Sequence, residues 1–412
     1  MMTRRSFMAG AFLVPGALAQ QQDAPFSPRV WPSEPPADCP FPPSKEITGI
    51  RFTGRHARYT SADTWYPSWA SNGNLYSTWT DGAVNGLKAS SSGPKAVTGF
   101  ATILGDDPLN LKVVDQGVYP GAPAPYGGRY PSANLVHKGV WYQGTYCLMD
   151  SDGDPGKGLN WDILGPFVGL RYSTDFGKTW TDTPHTPSSP LFPEPAKPGG
   201  KVKFGAPHFA DFGQDMEHSP DGKAYLVGHG ASDPDPKPRE ANASWITGDQ
   251  VYLARVAPRA SSINERAQWE FFAGHSKSGK PLWRRSFSKV RPLVDWNNNC
   301  GNVSITYHAP LKKYLMAITD GGNTISKFNT FVLESDRVTG PWKLVVYMKS
   351  FGEQGYFVNF PSKFIGRDGR TAWLCCAANF TNGNQNWNTN YRSDPPGSGY
   401  GMCLQEVELL GH

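Results

Sequence analysis

Residues 302–319 read NVSITYHAPLKKYLMAIT: an alternating apolar run, a tight turn at Pro310, then a second run rich in Tyr, Leu and Met. Alternation on both sides of a short polar turn predicts a β-hairpin. Four other segments follow the same plan: residues 66–80 (YPSWASNGNLYSTWT), 131–146 (PSANLVHKGVWYQGTY), 216–229 (MEHSPDGKAYLVGH) and 358–378 (VNFPSKFIGRDGRTAWLCCAA). A hairpin that returns every roughly 60–90 residues predicts an all-β chain folded as a single β-propeller, each unit being one blade of about four strands. Five units give five blades. Six or seven stay open, because residues 83–131 and 183–203 are long enough to hold further strands. In a propeller the site is built from loops of several blades on one face, so its residues must be sought along the whole chain.

The ends of the chain suit ring closure. Residues 47–59 read as a first strand, and residues 402–410 alternate cleanly as a last one. The fifth unit has no room for four strands of its own. The N- and C-terminal strands are therefore expected to share one blade. Residues 173–180 (STDFGKTW) fit the pattern S-x-D-x-G-x-x-W, the Asp box, whose Asp and Gly shape a turn and whose Trp packs between blades. Adjacent Cys375 and Cys376 must point to opposite faces of a strand, so at most one is expected in the core.

The 412 residues hold 45 Gly and 37 Pro, and 13% of them are aromatic, a turn-rich balance that favours β-structure over helix. Residues 1–19 place Arg4-Arg5 before an apolar run that ends in small residues, which predicts a twin-arginine-like signal peptide and export to the periplasm or beyond. Residues 20–44 are Pro-rich and read as a linker or surface arm, leaving 45–412 as the propeller domain. Without the signal the formal charge falls to +3, with 38 basic against 35 acidic residues, too small a balance to imply nucleic acid. No later stretch is long and apolar enough to span a bilayer. The six cysteines form no C-x-x-C pair, which argues against a zinc site. No cofactor is required on this reading. Asp150, Asp152 and Asp154 resemble part of a calcium loop, but Pro155 stands where Gly is needed, so a solvated turn is the better reading.

Asp63 to Trp69 (DTWYPSW), Gly73 to Tyr76 and Asp81-Gly82 resemble the opening of a group of exported propellers that includes arabinan-cleaving glycosidases. Residues 250–256 (QVYLARV) followed by Trp269 are similar to the same group. Residues 205–230, from GAPHF to YLVGHG, resemble propeller polysaccharide lyases that remove rhamnose from glucuronate. The resemblance covers most of residues 46–410 and implies a propeller acting on carbohydrate.

The residues themselves offer two chemistries. His208, His218 and His229 crowd one Gly-rich stretch with Asp211, Asp215 and Glu217, a density of titratable groups that suggests a site. β-Elimination at a uronate needs a cation or amide on the substrate carboxylate and a His or Tyr base. His208, His218, His229 and Tyr307 are the candidate bases, with Asp215 and Glu217 beside them. Arg129, Arg171, Asn299, Asn302 and His308 are candidate substrate contacts. Hydrolysis instead needs a carboxyl pair, drawn from Asp63, Asp81, Asp211, Asp215, Glu217, Asp320 and Glu353. Trp65, Trp69, Trp296, Trp387 and Tyr391 are candidate sugar platforms. The sequence reading leans to the lyase, with the hydrolase as alternative and a non-catalytic sugar-binding propeller as third. The expected partner is a polysaccharide or oligosaccharide.

Overall fold

A computed structural model describes residues 27–91, 96–120, 128–149, 163–195, 201–230, 245–321, 327–379 and 394–411. The side chains of residues 128–129, 148–149 and 163–164 are not described. The signal peptide, the Asp150–Asp154 turn, Trp387 and Tyr391 therefore lie outside the described residues, as does the side chain of Arg129.

Five antiparallel sheets form the five blades. Blade 1 runs from a split inner strand, Ser61–Asp63 and Ser68–Trp69, through Leu75–Val84 and Val97–Leu104 to Lys112–Pro120. Blade 2 holds Gly128–His137, Val140–Met149 and Ile163–Ser173. Blade 3 starts with Gly205–Phe209, Ala224–Gly230 and Gln250–Val256 and ends with Glu270–His275 and Pro281–Arg284. Blade 4 runs through Val303–His308, Lys313–Asp320, Asn329–Ser335 and Lys343–Met348. Blade 5 is composite: Tyr356–Asn359, Thr371–Ala377 and Cys403–Leu410 are completed by the N-terminal Gly49–Arg58 and then Arg29–Val30. The register Gly49↔Leu410 through Arg58↔Cys403 closes the ring, as the alternation of residues 402–410 predicts.

The inner strands hold one another around the axis by side chain to backbone bonds. Ser304 and Thr306 of blade 4 donate to the carbonyls of Val358 and Phe360 in blade 5, at 2.7 and 2.8 Å. Asn359 of blade 5 donates to Trp65 O of blade 1 at 2.9 Å. Asn134 of blade 2 donates to Tyr66 O of blade 1 at 2.8 Å. Between blades 3 and 4, Asp211 N reaches Ile305 O and Tyr307 N reaches Asp211 O. These bonds satisfy buried backbone groups that no strand partner could reach. They leave an axial cavity of about 30 Å³, lined by residues of all five blades, with room for one or two waters.

Aromatic side chains fill the wedges between blades. Gly99 lies directly under Trp79, where a Cβ would come within 2.1 Å of the indole. The Asp box forms as expected: Ser173 Oγ donates to Asp175, Thr179 Oγ1 and N both donate to Asp175, and Trp180 packs on Phe100 and Trp141. Those bonds hold the Asp175 carboxyl down at about 2.

Three sequence expectations are corrected. Cys375 and Cys376 are both fully buried, because each face of their strand is covered by a different blade interface. The third hairpin does not start at Met216. Residues 214–216 form a 3-10 turn with Asp215 and Met216 at positive φ, and the inner strand lies upstream at Gly205–Phe209. Trp296, read as a sugar platform, is buried against Phe41, Phe331 and Tyr347. Residues 27–44 dock on the ring: Trp31 is buried against Phe52 and Phe351.

Candidate functional site

The first turn of every blade lies on one face of the ring, so each inner strand starts at the other. Near those starts the structure gathers Asp63 and Tyr66 of blade 1, His208 of blade 3, Asn302 of blade 4 and Tyr356 of blade 5. The ends of the second strands add Asp81, Tyr146 and His229. Several of these positions depart from regular strand. Thr64, Asp81, Ala206 and Phe357 all have positive φ, and Gly205–His208 and Tyr356–Asn359 contain register shifts. Bulges with non-glycine residues in the left-handed region re-aim neighbouring side chains and concentrate at functional sites.

Asp63 is the centre of this end. Its carboxyl is buried, with Oδ2 accepting from Tyr356 Oη at 2.8 Å and Tyr400 Oη at 3.2 Å, and Oδ1 from Thr64 Oγ1 at 2.9 Å. Burial pushes it well above the ordinary carboxylate range, and the charge of Asp81 adds to the push against the pull of those hydroxyls. Asp81 is raised as well, again by burial, but accepts from Ser91 N and Oγ. Of this coupled pair Asp63 is the one raised further. Tyr400 links the two, since its hydroxyl also approaches the Asp81 backbone carbonyl.

Across the axis, the His208 ring lies flat on Tyr66, centroids 3.3 Å apart. Phe357 of blade 5 meets both rings edge-on, and Trp245 and Tyr356 continue the aromatic wall. His208 is 1% exposed, and neither ring nitrogen has a partner among the described residues. Burial, with His229 nearby, holds its pKa well below the usual imidazole value, so the ring is neutral. The Tyr66 and Tyr146 hydroxyls and both amide atoms of Asn302 are likewise buried and unpartnered among the described residues.

The crowded stretch 208–229 is thus divided between two faces. His208 and His229 sit at the Asp63 end. Asp211, Asp215, Glu217 and His218 sit at the opposite end, with Tyr307 and His308. There Asp211 accepts from Ser362 N and Oγ, His137 reaches Asp215, and His218 packs on Tyr307. Arg171 is in the outer part of blade 2, over the Tyr119 ring and beside Asp182. Trp65 is a core residue whose Nε1 donates to Ala62 O. Asn299 is tied to Asn297 O in the loop before blade 4. Among the described residues no cluster of three or more His, Cys, Asp or Glu suits a metal ion. Tyr66, Tyr146, Tyr356 and Tyr400 were missed in the sequence; Tyr66 and Tyr146 lie within the repeated hairpins, and Tyr400 carries no pattern of its own.

No family model matches the chain, and no curated protein matches it. Among the described residues no helix is long and apolar enough to cross a membrane. Solved structures match over most of the chain. A protein from Bacteroides ovatus provisionally described as a hydrolase aligns with a TM-score of 0.50 at 12% identity, covering 87% of this chain and 90% of that one. A family 117 glycoside hydrolase from Zobellia galactanivorans gives 0.45 at 13% identity, covering 88% and 91%. A GH43_1 enzyme from Xanthomonas citri, complexed with xylotriose, gives 0.44 at 12%, covering 85% and 88%. The resemblance to polysaccharide lyases has no counterpart among these three. At such identities the likeness is one of fold, and the chain is an all-β, five-bladed propeller.

Proposed function

We propose that the protein is a glycosidase whose reaction centre is the Asp63–His208 end of the axis. What supports this reading is the placement of two buried groups beside one aromatic wall: burial raises the Asp63 carboxyl and lowers the His208 imidazole. A carboxyl that holds its proton can give one and a neutral imidazole can take one, which suits acid and base roles. Asp63 gives its proton to the glycosidic oxygen as the carbon–oxygen bond breaks. His208 takes a proton from the water that bonds to the anomeric carbon. Solvent then carries the proton from His208 back to Asp63. Tyr356 and Tyr400 orient the Asp63 carboxyl, and burial together with the Asp81 charge raises its pKa.

A second reading rests on His208 alone. A neutral, unpartnered imidazole could instead take a proton from the carbon next to a uronate carboxylate, giving β-elimination. The two readings are separated by incubating the purified protein with arabinans, xylans and rhamnosyl-glucuronate glycans. Released reducing sugar without the ultraviolet absorbance of an unsaturated uronate, lost in Asp63→Asn, supports the glycosidase. Rising absorbance that needs His208 overturns it in favour of the lyase.

A further inference from the structure

Four buried polar atoms stand unpartnered among the described residues at the Asp63 end and are not used by the acid or the base. They are the hydroxyls of Tyr66 and Tyr146 and both amide atoms of Asn302. Tyr66 is 7% exposed, Asn302 2%, and Tyr146 is fully buried. Their placement is fixed by the fold. Tyr66 is held by its stack on His208 and by the edge of Phe357. Tyr146 stacks on Tyr130 and lies near Asp63, Asp81 and Tyr66. Asn302 begins the alternation Asn302, Ser304, Thr306. The later two reach toward blade 5 beside the axial cavity, so Asn302 shares their face one step nearer the Asp63 end. Native proteins rarely leave such groups orphaned, because each costs roughly 1–3 kcal/mol without a partner.

We infer that Tyr66, Tyr146 and Asn302 form a subsite that reads the hydroxyls of a neutral sugar ring, which deepens and rests on the glycosidase reading above. The groups are two phenols and an amide, all neutral, and each residue can both donate and accept. That is the pattern of a sugar hydroxyl, which also does both. A uronate carboxylate only accepts, and here it would enter beside the Asp63–Asp81 pair. The subsite therefore selects pentoses, hexoses or deoxyhexoses over uronic acids, and its neutral character favours hydrolysis over elimination.

The test is calorimetric titration of the purified full chain with methyl glycosides of arabinose, xylose, galactose, rhamnose and glucuronic acid. At least one neutral glycoside is expected to bind, more tightly than the glucuronide. Tyr66→Phe, Tyr146→Phe and Asn302→Ala are each expected to weaken it about tenfold, the cost of one lost hydrogen bond in a buried site. The phenylalanine variants keep the ring packing, and their melting temperatures check that the fold stands. Binding of the glucuronide alone, no binding of any glycoside, or neutral binding untouched by all three variants would overturn the subsite. Asp63→Asn separates this from the catalytic reading. If it binds the neutral ring yet cleaves nothing, both stand. If it binds and still cleaves at the wild-type rate, the subsite stands and the assignment of Asp63 falls.

Discussion

The Tyr66 ring and the His208 imidazole stack across the axis, with planes 17° from parallel, a ring pair that joins blade 1 to blade 3. The contact buries an imidazole with no hydrogen-bond partner for either nitrogen among the described residues. A ring in that setting must stay neutral to act as a base. Its protonation therefore sets the acid limb of activity, and burial moves that limb below the ordinary value of 6.5. His208→Ala is expected to lower kcat by roughly 10²–10⁴-fold, the usual worth of a general base. It should also remove the acid limb from the pH profile. A variant that keeps wild-type kcat would show that the stack is only a plug.

Asp63→Asn tests the acid. Turnover is expected to fall by roughly 10²–10⁴-fold, while stability at neutral pH rises. The sign follows from linkage. In the unfolded chain the carboxyl ionises near 3.8, and in the fold its pKa is raised well above that value. A raised carboxyl contributes stability that is fully present below the unfolded pKa and is lost as pH rises through the folded one. Asparagine carries no such loss. Melting curves from pH 4 upward should therefore diverge in favour of the variant as pH rises. Parallel curves would mean that Asp63 is ionised in the native protein.

Much of the fold was legible because hairpin turns and aromatic alternation are local signals. The turn after Asn302–His308, the Asp box at Ser173 and the alternation of Cys403–Leu410 each declare a strand pair or a turn without knowledge of neighbours. The site was legible only in part. His208 and His218 are ten positions apart, and ten residues of extended chain span about 30 Å. Sequence density therefore placed on one site groups that the inner strand carries to opposite faces. Asp63 appeared only as one carboxylate among several. Its distinction comes from Tyr356 and Tyr400, which lie 293 and 337 positions away and meet it through ring closure. Met216 resembled the start of a hairpin, but positive φ at Asp215 and Met216 breaks the pattern in a way that the alternation did not reveal.

Asp81→Asn tests the tuning of the acid. The Asp81 charge raises the Asp63 pKa, so removing it should let Asp63 lose its proton at lower pH. The alkaline limb of kcat is expected to move down, while the rate on the acid side changes little. Ser91 still has an acceptor in the amide oxygen, which preserves the local fold. An unmoved limb would show that the two carboxyls do not share charge, and would return Asp81 to a purely structural role.

The opposite face supplies the control. Asp211 is buried and accepts two bonds from Ser362 and one from Gly213, tying blade 3 to the segment after the inner strand of blade 5. Asp211→Ala strands those donors and is expected to cost about 2–4 kcal/mol of stability. His218 is 38% exposed; its ring lies beside Glu217 and tilts against Tyr307 of blade 4, with no side-chain hydrogen bond across that contact among the described residues. His218→Ala is expected to change stability by less than about 0.5 kcal/mol and to leave kcat and its pH limbs where they are. Both outcomes follow from placing the reaction at the Asp63 end. Since His218 belongs to the run of titratable groups that suggested a site in the sequence, a large loss of turnover in His218→Ala at unchanged melting temperature would move the reaction centre to this face and displace Asp63 and His208 together.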